Sequence, residues 1–250
     1  MALEMRQRCE RCGVGLGAHE EAFICAFECT FCRACTTAMA RVCPRCGGEL
    51  MSRPRRAFDR QPTLTGPLLE LRPLRPDDWA GLFAVAADPL IWEQHPESDR
   101  YQENVFRRFF DEALKSGGAL VALERASGEI VGSSRYHWFD AAHHTLEIGW
   151  TFLARRCWGG RYNGEMKRLM LEHAFQSVDR VVFVVGPENR RSRRAVEKIG
   201  GVYAGFILDP KGRERVIYEL TRVAYAAARD LQPARTQAGE VARQQIPRFV

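Results

Sequence analysis

HTLEIGWTFLARRCWGGRYNGEMKRLMLEHAFQS, residues 144–177, decides the fold of this 250-residue chain. Its first part, HTLEIGWTFL, reads as a strand. From Asn163, the expected N-cap, the spacing becomes helical, with Met166, Leu169, Met170 and Ala174 on one side. Between strand and helix lies ARRCWGGRYN, a loop of arginines and paired glycines that runs into a helix N-terminus. Such a junction is an anion cradle, because backbone N–H groups converge on phosphate oxygens and the helix dipole favours negative charge. A phosphorylated ligand is expected there.

On either side of this unit the pattern alternates. Upstream, LLELRPL reads as a strand, PDDWAGLFAVAA and NVFRRFFDEAL as helices, and GGALVALER and GEIVGSSRYHWF as strands joined at Ser127-Gly128. Downstream follow strand VVFVV, helix NRRSRRAVEKIGG closed by glycine, and strands GVYAGFIL and ERVIYEL. This order predicts an α/β (α+β) domain over residues 68–222 with a mixed sheet, neither a repeat protein nor a doubly wound one. Residues 52–67, SRPRRAFDRQPTLTGP, lack apolar periodicity and read as an exposed linker. Residues 223–250 read as a helical segment that runs into a polar tail.

With 46% hydrophobic and 27% charged residues the composition is globular, which excludes a disordered or fibrous chain. No stretch approaches the roughly 18 consecutive apolar residues of a membrane span, and MALEMRQRCERCG has no apolar signal core, so a soluble cytoplasmic protein without a membrane partner is expected. The net charge of +6 comes from 33 arginines and 4 lysines. That bias fits a GC-rich coding sequence as well as anion binding, so the position of each arginine matters more than the total.

Eight of the nine cysteines lie between Cys9 and Cys46, in a segment too short to build a core unaided. They form close pairs: Cys9-x2-Cys12, Cys25-x3-Cys29, Cys32-x2-Cys35 and Cys43-x2-Cys46. Two such turns complete a tetrahedral zinc site, so the set predicts two structural zinc ions in a domain over residues 1–51. Disulfides are the alternative, in an oxidising compartment for which no signal is present. A buried thiol among Cys29 and Cys32, with one zinc, is another. The order of pairs resembles the RING-type cross-brace, which implies Cys9, Cys12, Cys32 and Cys35 at one zinc and Cys25, Cys29, Cys43 and Cys46 at the other. Pairing of neighbouring turns stays open on spacing alone. LEMRQRCERC, FICAFECTFC and CPRCGGELMSRPRR also resemble a small bacterial cysteine-rich family of uncharacterised function over about residues 1–56. Residues 1–56 are formally +3, and two four-thiolate zinc centres would bring them to about −1. A nucleic-acid partner is therefore not expected. A structural or recruitment role is left, with a protein partner as the open alternative.

Residues from about 68 to 222 resemble the GNAT family of N-acyltransferases, in the branch of ribosomal-protein N-terminal acetyltransferases. Arg156-Cys157-Trp158-Gly159-Gly160-Arg161 matches that family's pyrophosphate loop except in its last slot, where Arg161 replaces glycine. A backbone cradle tolerates this if the φ of Arg161 is negative. PENRRSRRAVEKIGG matches the segment whose asparagine opens the next helix. The resemblance implies acetyl-CoA as cosubstrate, held by Ile148, Trp150, Phe152, Arg156, Gly159, Gly160, Arg161, Asn163 and Asn189, and direct transfer to an amine acceptor, a protein N-terminus or a small molecule. Many relatives place a tyrosine acid where this chain has Val196, so Ser192 becomes the candidate for protonating the thiolate. Glu147 is the candidate base, against a strand glutamate that points to solvent. His144 falls on the opposite face of a regular strand, and His137 and His143 read as satisfied or exposed. Trp92, His95, Tyr136, Trp138 and Trp150 are candidate acceptor walls or plain core. The arginines at 190, 191, 193 and 194 read as a solvated helix face with phosphate-facing members, and Cys157 as a packing residue. A non-catalytic zinc adaptor or acyl-CoA sensor on the same fold is the competing reading.

Overall fold

A computed structural model of the chain describes residues 6–17, 21–54 and 58–230. Residues 231–250 of the tail expected over 223–250, and residues 1–5, 18–20 and 55–57, lie outside the described residues.

The cysteine-rich segment folds around β1 (Ala22–Ile24), which pairs antiparallel with β2 (Thr30–Cys32) and β3 (Met51–Ser52), with α1 (Arg33–Ala38) following β2. Two small knuckles flank these strands. Each is closed by one bridge, Arg8 with Gly15 and Val42 with Glu49, and each turns through a glycine in the left-handed region, Gly13 (φ 73°) and Gly47 (φ 70°). The core of this unit is small and half made of sulfur: Cys9, Cys25, Cys29 and Cys43 are buried with Phe23, Phe31, Leu16 and Leu50. Arg53 is 2% exposed and donates through Nη1 to the Arg6 carbonyl and through Nη2 to the Gly17 carbonyl, both at 2.7 Å.

The remaining strands form one eight-stranded sheet: β4 (Leu64–Thr65), β5 (Leu69–Pro73), β6 (Ala119–Glu124), β7 (Ile130–Asp140), β8 (Thr145–Leu153), β9 (Arg180–Val185), β10 (Val202–Leu208) and β11 (Glu214–Thr221). Its spatial order is β10-β11-β9-β8-β7-β6-β5-β4, and every pair is antiparallel except β8 with β9. The mixed α/β architecture is as expected, and the sheet is mostly antiparallel. Helices α2 (Trp79–Ala86) and α3 (Glu103–Ser116) cover one face, where Phe106, Phe109, Phe110 and Ala113 recur at helical spacing and pack with Trp92, Val121 and Phe152. Gly117, at φ 60°, ends α3. The other face carries α4 (Tyr162–Ala174), whose Met166, Leu169, Met170 and Ala174 are buried, and α5 (Arg190–Lys198), anchored by Val196. Helix α6 (Arg222–Asp230) follows β11. No helix among the described residues is long and apolar enough to cross a membrane.

The segment expected as an exposed linker departs from that reading. β3 and Arg53 belong to the first unit, Phe58 is buried edge-on against Tyr136 (5.1 Å between centroids), and Leu64–Thr65 pair with β5. Its few apolar residues lack periodicity because each docks singly. Asn163 is not the N-cap of α4. The helix starts two residues earlier, with Arg161 as the cap, since Tyr162 packs on the core and its hydroxyl donates to Glu124.

Candidate active site

Three local features converge at the C-terminal end of β8. First, β8 and β9 pair only through Thr145, Leu146 and Glu147 with Arg180, Val181 and Val182. Beyond Glu147 they diverge, which leaves the β9-facing edge of residues 148–153 without a ladder partner among the described residues. Secondly, β8 carries a bulge. Arg135 faces Gly149 and Ser133 faces Phe152, so Trp150 and Thr151 together oppose Ser134, and Trp150 takes a φ of 52°. Such a conformation costs a bulky residue energy and persists only where its surroundings impose it. Ser134 Oγ and Thr151 Oγ1 lie 2.7 Å apart and hold the bulge.

Thirdly, the chain leaves β8 through a tight turn at Arg155–Cys157 and enters α4 through Gly159 (φ 68°), Gly160 and Arg161 (φ −83°, ψ −15°). The negative φ of Arg161 satisfies the condition for a backbone cradle without glycine. A Cβ built on Gly159 or Gly164 meets nothing within 4 Å, so open space faces the head of the helix. The first-turn N–H groups of α4 have no intrahelical acceptor and point to that space. The Arg156 side chain turns the other way, to Glu124 and Glu129 at 2.9 Å each, and Arg155 pairs with Asp88. Glu165, one turn into the helix, accepts from the N–H groups of Leu68 (2.7 Å) and Leu69 (2.8 Å) and so ties the cradle to the start of β5.

A scan against family descriptions matches residues 69–202 to "Acetyltransferase (GNAT) domain". The chain belongs to the GNAT acetyltransferase family. A second match, "Protein of unknown function (DUF1272)", covers residues 2–56. An uncharacterised protein of Rhizobium meliloti (strain 1021) is 48% identical over 54 residues, 21% of this chain, and the chain spans 64% of that relative's length. Among solved structures, a GCN5-related N-acetyltransferase from Brucella melitensis superposes with a TM-score of 0.60 at 20% identity, covering 68% of this chain and 83% of that one. Mycobacterium smegmatis RimJ in complex with CoA-disulfide superposes with a TM-score of 0.52 at 21% identity, covering 66% and 90%. Both likenesses establish the fold, one that supports acyl-CoA-dependent N-acetylation in general.

On the GNAT sheet, the face of β8 toward α2 and α3 carries Trp150 and Phe152. Glu147 opposes His137 on β7, and its Oε2 lies 3.0 Å from His137 Nδ1; the His137 ring in turn sits 4.6 Å from that of Trp150. His137, read from sequence as satisfied or exposed, is thus half-exposed and joined to the candidate base. His143 and His144 lie in the turn before β8, beside Asp140 and Asp179. On the opposite face Ile148 is core, and so is Tyr136, whose hydroxyl donates to the Met170 carbonyl, which removes Tyr136 from the acceptor walls. Trp138 is exposed, and Trp92 is core with its indole N–H on the Ala86 carbonyl. Asn189 caps α5, its Oδ1 accepting from the Ser192 N–H at 3.1 Å, so the two side chains expected at the thioester share one helix start. Arg191 donates to the Ile91 carbonyl and stacks 3.9 Å above Trp158, and Arg193 donates to Tyr218, whereas Arg190 and Arg194 are exposed. Burial pushes the Cys157 thiol up, in keeping with a packing role. A cleft of about 330 Å³ opens between residues 93–96, 186–189 and 213–215, lined by His95 and Asn189.

Sequence reasoning missed Lys167, which α4 buries against the sheet. It is 5% exposed, donates to Thr151 Oγ1 at 2.6 Å and lies 5.5 Å from the Phe183 ring centroid, so it spans the two diverging strands, and burial pulls it down to about 7. Its place among the apolar residues Met166, Met170 and Leu171 was the available signal.

None of the eight cysteines of the cysteine-rich unit, nor Cys157 in the GNAT domain, is in a disulfide. Cys9, Cys12, Cys32 and Cys35 bring their sulfurs within 4.8 Å of one another, and Cys25, Cys43 and Cys46 do the same. Cys29 shares thiol hydrogen bonds with Cys25 and Cys43. This is the cross-brace arrangement, not the pairing of neighbouring turns. Zinc–sulfur bonds of about 2.3 Å in a tetrahedron place sulfurs about 3.8 Å apart. Cys12 and Cys32 Sγ are 3.8 Å apart, so the donors fit such a site.

Proposed function

We propose that the chain is an acetyl-CoA-dependent N-acetyltransferase that moves an acetyl group directly to a primary amine. The observation that carries this reading is the split between β8 and β9 opening onto the glycine cradle at the head of α4. The pantetheine arm, with its two amides, would add as a strand to the free edge of residues 148–153, beside Ile148, Trp150 and Phe152. Its pyrophosphate would meet the N–H groups of Gly159, Gly160, Arg161 and Asn163. Arg156, engaged by two carboxylates, would act through its backbone or by exchanging partners. N–H groups of the bulged β8 segment would receive the developing oxyanion.

The acceptor arrives as an ammonium and must lose a proton before it attacks the thioester. Glu147, bonded to His137, would take it, directly or through the imidazole. Ser192, in the first turn of α5, would protonate the leaving thiolate, since Val196 is locked in the core and offers no acid. The cysteine-rich unit would hold two structural zinc ions, one on Cys9, Cys12, Cys32 and Cys35 and one on Cys25, Cys29, Cys43 and Cys46. All-thiolate sites leave no open position for a catalytic water, so the zinc would fold the unit. A reducing cytoplasm, where thiols stay available as zinc ligands, would be the location of such a unit.

The test is calorimetric binding of acetyl-CoA to the full chain, followed by thiol release with a panel of amines. Micromolar binding with steady turnover, lowered about 10²-fold or more in Glu147→Gln, is expected. Binding without turnover would support the non-catalytic reading that the valine at 196 also fits, and absence of binding would remove both.

A further inference from the structure

The face of the sheet beneath α3 contains a guanidinium with nothing to hold. Arg135, on β7, is 5% exposed, yet its Nε and Nη2 are buried without a hydrogen-bond partner among the described residues, and none of the described ion pairs includes it. Its Cζ lies 4.8 Å from the centroid of Trp150 and 5.5 Å from that of Phe109. Phe109 is flanked on its other contact by Arg100, 4.5 Å from the centroid, but Arg100 is paired with Glu97 and its Nη1 is 3.2 Å from His95 Nε2. Burial and Arg100 together pull His95 down to about 3, so it adds no charge. Burial lowers Arg135 to about 10, partly offset by Glu112 and Glu147, and it therefore stays charged at neutral pH.

A charged group out of water whose Nε and Nη2 lack hydrogen bonds destabilises the fold, an effect the two aromatic rings and the charges of Glu112 and Glu147 offset only in part, and a methionine or leucine would fill this aromatic box without that cost. The position makes sense if the missing partner arrives with the substrate. Nε–H and one N–H of Nη2 are the two parallel donors of the side-on guanidinium fork, the edge that grips a carboxylate through both oxygens. Arg135 also stands two residues from His137 on the same strand face, and Trp150 lies against both side chains.

We propose that Arg135 binds the carboxylate of the acceptor, and that the substrate class is a small amine that also bears a carboxylate, such as an amino acid, and not a polycationic amine. The proposal rests on the acetyltransferase reading. It assigns the two flanks of Trp150 to the two ends of one molecule: the carboxylate at Arg135, the amine at His137 and Glu147.

The test uses the full chain, acetyl-CoA and matched sets of acceptors, each amino acid beside its carboxamide and its decarboxylated amine. A kcat/KM at least tenfold higher for the carboxylates is expected. In Arg135→Met the preference should vanish through a raised KM with kcat little changed, while acetyl-CoA binding stays as in the parent and the melting temperature rises, because a buried unpaired charge is gone. Arg135→Lys, which keeps the charge and loses the fork, should retain part of the preference. Equal or faster turnover of the uncharged members, or an Arg135→Met enzyme with undiminished preference, overturns the proposal and leaves the acetyltransferase reading in place. No turnover with any amine overturns both.

Discussion

A lysine enclosed by apolar side chains is more stable without its proton, and Lys167 has one hydroxyl, Thr151 Oγ1, to hold it. Held at about 7 in the folded chain, against roughly 10.4 when unfolded, it binds fewer protons folded than unfolded between these values, so stability rises as pH rises from about 7 to about 10. Below pH 7 the full penalty is present. Lys167→Met should therefore be more stable than the parent by on the order of a few kcal/mol near neutrality, and melt higher, with the margin shrinking towards zero by about pH 10. Thr151 keeps Ser134 as its partner in that variant, so no polar group is stranded. Thermal melts of both proteins from pH 6 to 10 check it; a margin that does not change with pH would sink the assignment. Single residues were the least legible part of the site. Glu147 could be picked from its place before the loop, but its pairing with His137 depends on the β7–β8 register, and the orphaned fork of Arg135 depends on packing that no local pattern encodes.

At the scale of elements the reading went further. Alternation and helical spacing are local consequences of which face is buried, so the strands from LLELRPL to ERVIYEL and the helices between them could be placed from their own residues. The bulge in β8 could not, because two residues face one only once β7 is paired beside it. Nor could the docking of Phe58, a single aromatic in a polar stretch. The cradle lies between these cases: its glycines are visible, but their geometry differs. Gly159 stands at φ 68° and Gly160 does not share that constraint. Gly159→Ala should therefore cost roughly 1 kcal/mol of stability through the left-handed backbone and weaken acetyl-CoA about tenfold or more, as its methyl enters the open space before α4. Gly160→Ala should change both less. Denaturant unfolding reads the backbone cost, and calorimetry of the pair decides between a backbone cradle and one built from arginine side chains, for which the two variants would bind acetyl-CoA alike.

Across the whole molecule the chain joins two ways of becoming stable. The GNAT sheet has large apolar clusters on both faces, whereas the cysteine-rich unit has one small core in which four cysteines pack with Leu16, Phe23, Phe31 and Leu50. Elemental analysis of purified full-length protein should give about two zinc per chain, lost on chelation together with the fold of residues 6–54. One per chain would point to Cys29 as a buried thiol, and none under reducing, chelator-free conditions would refute the metal reading. The cysteine count foretold this unit; the cross-brace needed β1 to bring the pairs on either side of it together. The large sheet has its own weak seam. Strands β4–β8 and β9–β11 are hydrogen-bonded to each other only through the three residue pairs at Thr145, Leu146 and Glu147. A cosubstrate lying in the gap would serve as the missing strand, and on that reading its supply enters the folding equilibrium: at a hundred times the dissociation constant it adds about 2.7 kcal/mol. The lifetime of the protein would then follow the acyl-donor level of the cell, with starved cells clearing it sooner than well-fed ones.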